Sequence, residues 1–335
     1  MNPLTWQNPG LLGSAAWLVQ ELFVAQDIIK IKIYSVAELR NNMVQANNTI
    51  FQFYLAMMDS FREYLSDKYP ISSSIEDTKH YQTVIITKIV QMFHSIELIT
   101  KNSLDEVSAR CVLRGILDSV TAYSFIYQKT DFNEMLFRHY LYALDGWREY
   151  KKSVISTSEE NEYKDKEDCA CDYVIKQIEE KLKKHIYYAH DRATANLLIQ
   201  NSNWKYESLQ NPRSLKFGEM YAAVGFNNVS IEYFQGYLSQ FVHGLCLSNK
   251  PTTDSEQMKR VLYECIPIAD KFIQAMNQSF RDKGMTDYFL RSNVIKKFMD
   301  SQSFSFNELA ESAFALVRKD KTLLISNCSK LILQI

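Results

Sequence analysis

The chain has 335 residues, 46% hydrophobic and 13% aromatic, with a formal net charge of −1. That length and apolar share support a substantial buried core, while the near-neutral balance gives no overall electrostatic reason to bind nucleic acid or an acidic membrane. Only nine glycines and six prolines punctuate the sequence, which argues against a sheet-rich fold with many tight turns and for an all-α, multi-helix bundle.

At the amino end, Leu11 to Val24 is apolar, with Leu12, Trp17, Leu18 and Phe23 among its residues. No Lys or Arg precedes it, and Gln20 and Glu21 interrupt it. A secretory signal wants a basic start and a membrane span roughly 20 nearly unbroken apolar residues, so neither is expected. Residues 1–35 read instead as an apolar helix packing on the body of the protein or on a second copy, which makes a homo-oligomer the expected assembly.

Residues 36–282 read as the main bundle. Helical periodicity runs through 37–66, 76–101, 104–128, 132–152, 162–199, 226–248 and 255–281. Breaks fall at Tyr69-Pro70 and its following serines, at 201–214 with Pro212, and at 249–254 with Pro251. The dense alternating charge of 151–184 reads as a solvated stretch. Residues 283–335 read as a small C-terminal appendage of short helices, with Asn307 as a cap before Glu308-Leu309-Ala310.

Two helices carry the polar residues that invite a functional reading. On the 226–248 helix, at 100° per residue, Gln235, Ser239 and His243 fall within roughly 60° of Glu232, and the apolar residues lie opposite. Between Val107 and Gln128, Arg110, Arg114 and Asp118 are the only charged residues, and they stand at i, i+4 and i+8. That spacing makes one stripe on an otherwise apolar helix and sets Arg114 to pair with Asp118. A central helix makes buried arginine costly without carboxylates or comparable partners. The polar face of the 226–248 helix is the expected place for them, so Arg110, Arg114, Asp118, Glu232, Gln235, Ser239 and His243 form one candidate ligand-binding or structural cluster.

Other chemistry finds less support. The six cysteines are dispersed, as reduced thiols in a cytoplasmic protein would be. Asp77-x-x-His80 and His94-x-x-Glu97 each put a pair on one helix face, but both share one helix, so no metal site and no cofactor are expected. His139, His185 and His190 are expected on the surface. No phosphate loop or nucleophile elbow is present. Helical ribonucleases that carry Arg and His four to six residues apart on one helix are not matched either.

The segments Leu113-Arg114-Gly115-Ile116-Leu117-Asp118, Phe217 to Phe226, and Tyr237-Leu238-Ser239-Gln240-Phe241-Val242-His243-Gly244 resemble a widespread bacterial family of uncharacterised all-helical proteins. That family carries R-x-x-x-E on one helix and S-x-x-x-H-G on a later one. The resemblance spans about residues 35 to 250. Asp118 stands where the family usually has glutamate, and Tyr233 and Tyr237 stand where it has tyrosine. The resemblance implies a cytoplasmic bacterial protein, linked through some members to defence or toxin systems.

The expected function is a non-enzymatic binding or interaction protein whose polar cluster fixes helix register or holds a small anionic ligand, with no membrane partner. The alternative is a divergent metal-independent ribonuclease or phosphoryl-transfer enzyme on RNA, with His243 as acid/base and Arg114 as charge stabiliser.

Overall fold

The structure, a computed structural model, describes residues 36–70, 72, 74–103, 105–157, 162–226, 233–243 and 255–291. Among these residues it is helical with no strand; one isolated bridge joins Tyr206 and Ser214. The helices are α1 (Val36–Lys68), α2 (Thr78–Asn102), α3 (Glu106–Tyr127), α4 (Phe132–Thr157), α5 (Glu162–Lys184), α6 (Ile186–His190), α7 (Arg192–Gln200) and α8 (Phe217–Ala223). A π-helical turn (Tyr233–Tyr237) then leads into α9 (Leu238–Val242), followed by α10 (Ser255–Phe280) and α11 (Lys283–Arg291).

The helix starts follow from ordinary capping chemistry. Asp77 accepts the His80 N–H at 3.0 Å to open α2, and Asp105 accepts the Ser108 N–H at 3.0 Å to open α3. The long periodic stretch 162–199 is three helices. His185 turns its Nδ1 to the Tyr187 N–H at 3.2 Å, and Asp191 accepts the Thr194 N–H at 3.0 Å. Each cap stops one helix and starts the next, a side-chain competition with the backbone that hydrophobic periodicity does not register. In the stretch 200–226, read from sequence as a break at 201–214, α8 also forms.

The core is built from α1, α2, α3 and α10, with α3 and α1 each packed on both α2 and α10. Phe51, Met58, Phe61, Ile89, Phe93, Leu113, Ile116, Ile268 and Phe272 are fully buried there. A Cβ on Gly115 would lie 2.8 Å from Met92 Cε, the flexible tip of a side chain on α2. By length and composition α2 is the one helix among the described residues able to cross a membrane; here its buried face packs on α1, α3 and α10.

The α4–α5 hairpin packs on α3 through α4. Arg138 is completely buried within this layer. Its Nη1 donates to the carbonyls of Trp204 at 3.1 Å and Tyr206 at 2.7 Å, and its guanidinium lies 3.6 Å from the Tyr206 ring centroid. His139 and His185, expected at the surface, are buried too, at 0% and 8% exposure. The Tyr127 hydroxyl and the Ile75 carbonyl, each 2.9 Å away, satisfy the His139 imidazole, and the Phe137 ring covers His185. Partners that come from other elements, Tyr127 and Ile75 for His139 and Phe137 for His185, hid both from a reading by neighbouring charge.

At the carboxyl side, α11 packs on α1. Tyr64 donates to Asp282 at 2.9 Å and stacks on Tyr288 with centroids 5.4 Å apart. Residues 1–35 and 292–335, with the readings made for them, lie outside the described residues.

Candidate arginine cluster on the central helix

Helix α3 presents Arg110, Arg114 and Asp118 one turn apart, and the π turn and α9 pack across them. Arg110 is fully buried. Its Nε donates to Glu106 at 2.7 Å, its Nη1 donates to Glu264 on α10, and its guanidinium lies 4.8 Å from the Tyr237 ring centroid and 5.1 Å from that of Phe241. Two carboxylates and two aromatic faces thus replace water around one cation. Burial raises the Tyr237 hydroxyl and, more strongly, the Cys265 thiol above their ordinary pKa values.

One turn further, the Arg114 side chain is 16% exposed and Asp118 is 32% exposed. The Arg114 Nε donates to both Asp118 oxygens, at 3.2 and 3.1 Å, and its Nη1 donates to the Ser239 hydroxyl at 2.9 Å. Ser239 in turn donates to the Gln235 carbonyl, the first turn of the π segment. The Tyr221 hydroxyl on α8 donates to Asp118, and burial together with that carboxylate raises its pKa well above the ordinary value. Gln235 rests against Gly218 of α8, where any Cβ would overlap its side-chain amide.

The structure therefore brings Arg114, Asp118 and Ser239 into one hydrogen-bonded set, with Gln235 joined through its carbonyl and Arg110 beside it. His243 stands apart. It closes α9 by donating its backbone N–H to the Ser239 carbonyl at 3.1 Å, and its exposed side chain makes no hydrogen bond or ion pair among the described residues. Glu232 lies outside the described residues.

The carboxylates that meet Arg110 come from its own helix and from α10, where the sequence reading looked to the 226–248 segment. That segment contributes the Tyr237 and Phe241 rings. Glu106 was readable, since it stands four residues before Arg110 at the very start of the helix. Glu264 carries no local signal beyond its i, i+4 spacing to Arg260, whose Nε lies 3.4 Å away. Tyr221 sits inside the 217–226 segment of the family resemblance without having been assigned a role.

Compared with known proteins, the chain matches no family model, no curated protein and no solved structure at a significant level.

The arrangement neutralises its own charges. Every cation named here faces a carboxylate within the protein, and among the described residues no group of three or more His, Cys, Asp or Glu side chains is set to hold a metal ion.

Proposed function

We propose that this is a helical binding or interaction protein, in which the arginine cluster is an internal clamp that fixes the π turn and α9 on the central helix. The observation that carries the reading is Arg110: a guanidinium with no exposed surface, ion-paired with Glu106 and Glu264 and enclosed by Tyr237 and Phe241. A charge stabiliser for a reaction needs an open face toward substrate, and Arg114, which the catalytic alternative puts in that role, is 16% exposed and donates to Asp118 and Ser239. An internal clamp needs none. Exposed Val242 and His243 at the end of α9 are what the clamp holds out to a partner. A bacterial, cytoplasmic setting, a link to defence, and self-association through the apolar amino-terminal segment belong to the same proposal; they rest on the family resemblance and the sequence pattern.

The alternative, a metal-independent ribonuclease or phosphoryl-transfer enzyme, has one feature in its favour: His243 is exposed one turn beyond Ser239, the residue that Arg114 holds. An assay of the full chain on single-stranded and hairpin RNA, with His243→Ala and Arg114→Ala alongside, separates the two. The interaction reading expects no cleavage above the level of either variant. Cleavage that His243→Ala abolishes in a folded protein overturns it.

A further inference from the structure

The joint between α5 and α6 depends on one histidine. His185 is buried, and its Nδ1 accepts the Tyr187 N–H at 3.2 Å to start α6. A backbone N–H can only donate, so Nδ1 carries no proton and the neutral ring has its proton on Nε2. That Nε2 is buried and has no hydrogen-bond partner among the described residues. One ring nitrogen is therefore committed as an acceptor and the other is a donor with nothing to receive it, a cost that the closed joint carries at every pH.

A second proton can bind only Nδ1. There it sets two N–H donors against each other and removes the cap, and Nε2–H gains no acceptor in exchange. The surroundings do little to hold the new charge. The imidazole packs on the rings of Phe137 of α4 and Tyr187 of α6, with centroids 5.2 and 5.1 Å away. Asp131, just before α4, is the carboxylate that acts on it, and it already accepts the Tyr187 hydroxyl. Glu134 is paired with Lys129 and Arg138, and burial keeps the Tyr206 hydroxyl protonated. Lys181 reaches Glu76, Asp191 is spent on the cap of α7, and Arg192 of α7 donates to Tyr188. Lys183 and Lys184, in the turn before, add like charge. Burial accordingly lowers the His185 pKa below its ordinary 6.5, with Asp131 opposing in part.

Helix α6 has five residues and packs on α4, α5 and α7, so opening it costs far less than unfolding the core. The proton need not enter the closed site. It binds the imidazole once α6 has lifted and so draws up the open form. Because the open histidine has the higher pKa, the closed joint is favoured above pH 6.5 and loses ground as the pH falls below it.

We propose that the α5–α6 joint is an acid-sensitive hinge, in which a second proton on the His185 imidazole cancels the Tyr187 cap and frees α6 from α4 while α1, α2, α3 and α10 stay packed. Release uncovers the Phe137 ring, against which His185 and Tyr187 lie, and gives the α4 layer an apolar surface in acid that it lacks at neutral pH. Hydrogen exchange on the full chain at pH 7.5 and 5.0, expressed as protection factors so that the intrinsic pH dependence of exchange drops out, tests this. The amides of Tyr187, Ala189 and Asp191 are expected to lose about tenfold in protection at the lower pH, while those of 86–96 and 113–126 keep theirs. His185→Asn supplies a capping oxygen that does not titrate and is expected to abolish the loss. His185→Ala removes the cap and is expected to show the loss already at pH 7.5. No loss in the parent chain, a loss that survives His185→Asn, a loss shared by the core, or full protection of His185→Ala at pH 7.5 would each overturn the proposal.

Discussion

Arg110 of α3 and Glu264 of α10, 154 positions apart, form a direct ion pair with neither side chain more than 7% exposed. They join the second turn of the central helix to α10. A pair of this kind is asymmetric in its energetics: forming it gains little over well-packed apolar residues, whereas removing one member strands the other in a water-poor site.

Arg110→Ala is therefore expected to destabilise the fold by about 3–5 kcal/mol, since Glu264 loses its direct partner on α3 and Arg260 Nε, 3.4 Å away on its own helix, compensates the charge only in part. The double variant Arg110→Met, Glu264→Gln is expected to recover a large part of that loss. Urea unfolding followed by far-UV circular dichroism checks both. A double variant no more stable than Arg110→Ala would show that the pair matters for something other than charge compensation.

Arg114 and Ser239 predict a local effect instead of a global one. Ser239→Ala removes one partly exposed hydrogen bond to the arginine and one to the Gln235 carbonyl, for a cost of about 1 kcal/mol. The consequence is expected in the π turn and α9, where amide exchange at 233–243 rises while the α1–α2–α3–α10 core keeps its protection. Arg114→Lys is expected to act in the same direction, because an ammonium lacks the fork that reaches Asp118 and Ser239 together. Hydrogen exchange that speeds up uniformly across the chain would contradict the clamp.

These two arginines also show where the sequence stops being informative. The i, i+4, i+8 stripe identified α3 as an apolar helix with a charged seam, and Arg114 to Asp118 followed from spacing alone. The helix wheel through Ser239 assumed 100° per residue, whereas Tyr233–Tyr237 is a π turn, which carries about one extra residue per turn and rotates everything upstream of it relative to α9. His243 failed to join the cluster for a related reason: α9 ends there, and the residue serves as its cap. Glu264, Tyr221 and the loop carbonyls that meet Arg138 are fixed by tertiary contact across tens to more than a hundred positions, and no periodicity records such pairings.

Arg138 illustrates that last class and makes a prediction of its own. Its guanidinium holds the carbonyls of Trp204, Tyr206 and Glu207 and stacks on Tyr206, so it organises the loop after α7 by main-chain contact. Arg138→Lys conserves charge but offers no planar face and fewer aligned donors. It is expected to expose the 201–216 loop to limited proteolysis and to lower the thermal midpoint, by an amount similar to Arg138→Met. A lysine variant as protease-resistant as the parent would show that charge alone organises the loop.

The pH dependence of stability is expected to carry two opposite contributions from histidines. Burial lowers the His139 pKa from 6.5 to about 4, so the unfolded chain takes up a proton that the folded one refuses. Its contribution is present above pH 6.5 and is lost as the pH falls toward 4, by about 3 kcal/mol at the limit. His94 works the other way. Its Nε2 lies 2.9 Å from Asp59 and its Nδ1 3.4 Å from Glu97, and those carboxylates raise its pKa to about 9. The folded protein holds that proton more tightly, so the contribution is full below pH 6.5 and fades as the pH rises through 9. The side chain is 35% exposed, and solvent screening limits this gain to about 1 kcal/mol or less. Urea unfolding from pH 4 to 10 is expected to show the steeper loss on the acid side. His94→Gln should flatten only the alkaline limb and His139→Gln only the acid limb; a variant that moved the opposite limb would show that its histidine had been assigned the wrong direction of shift.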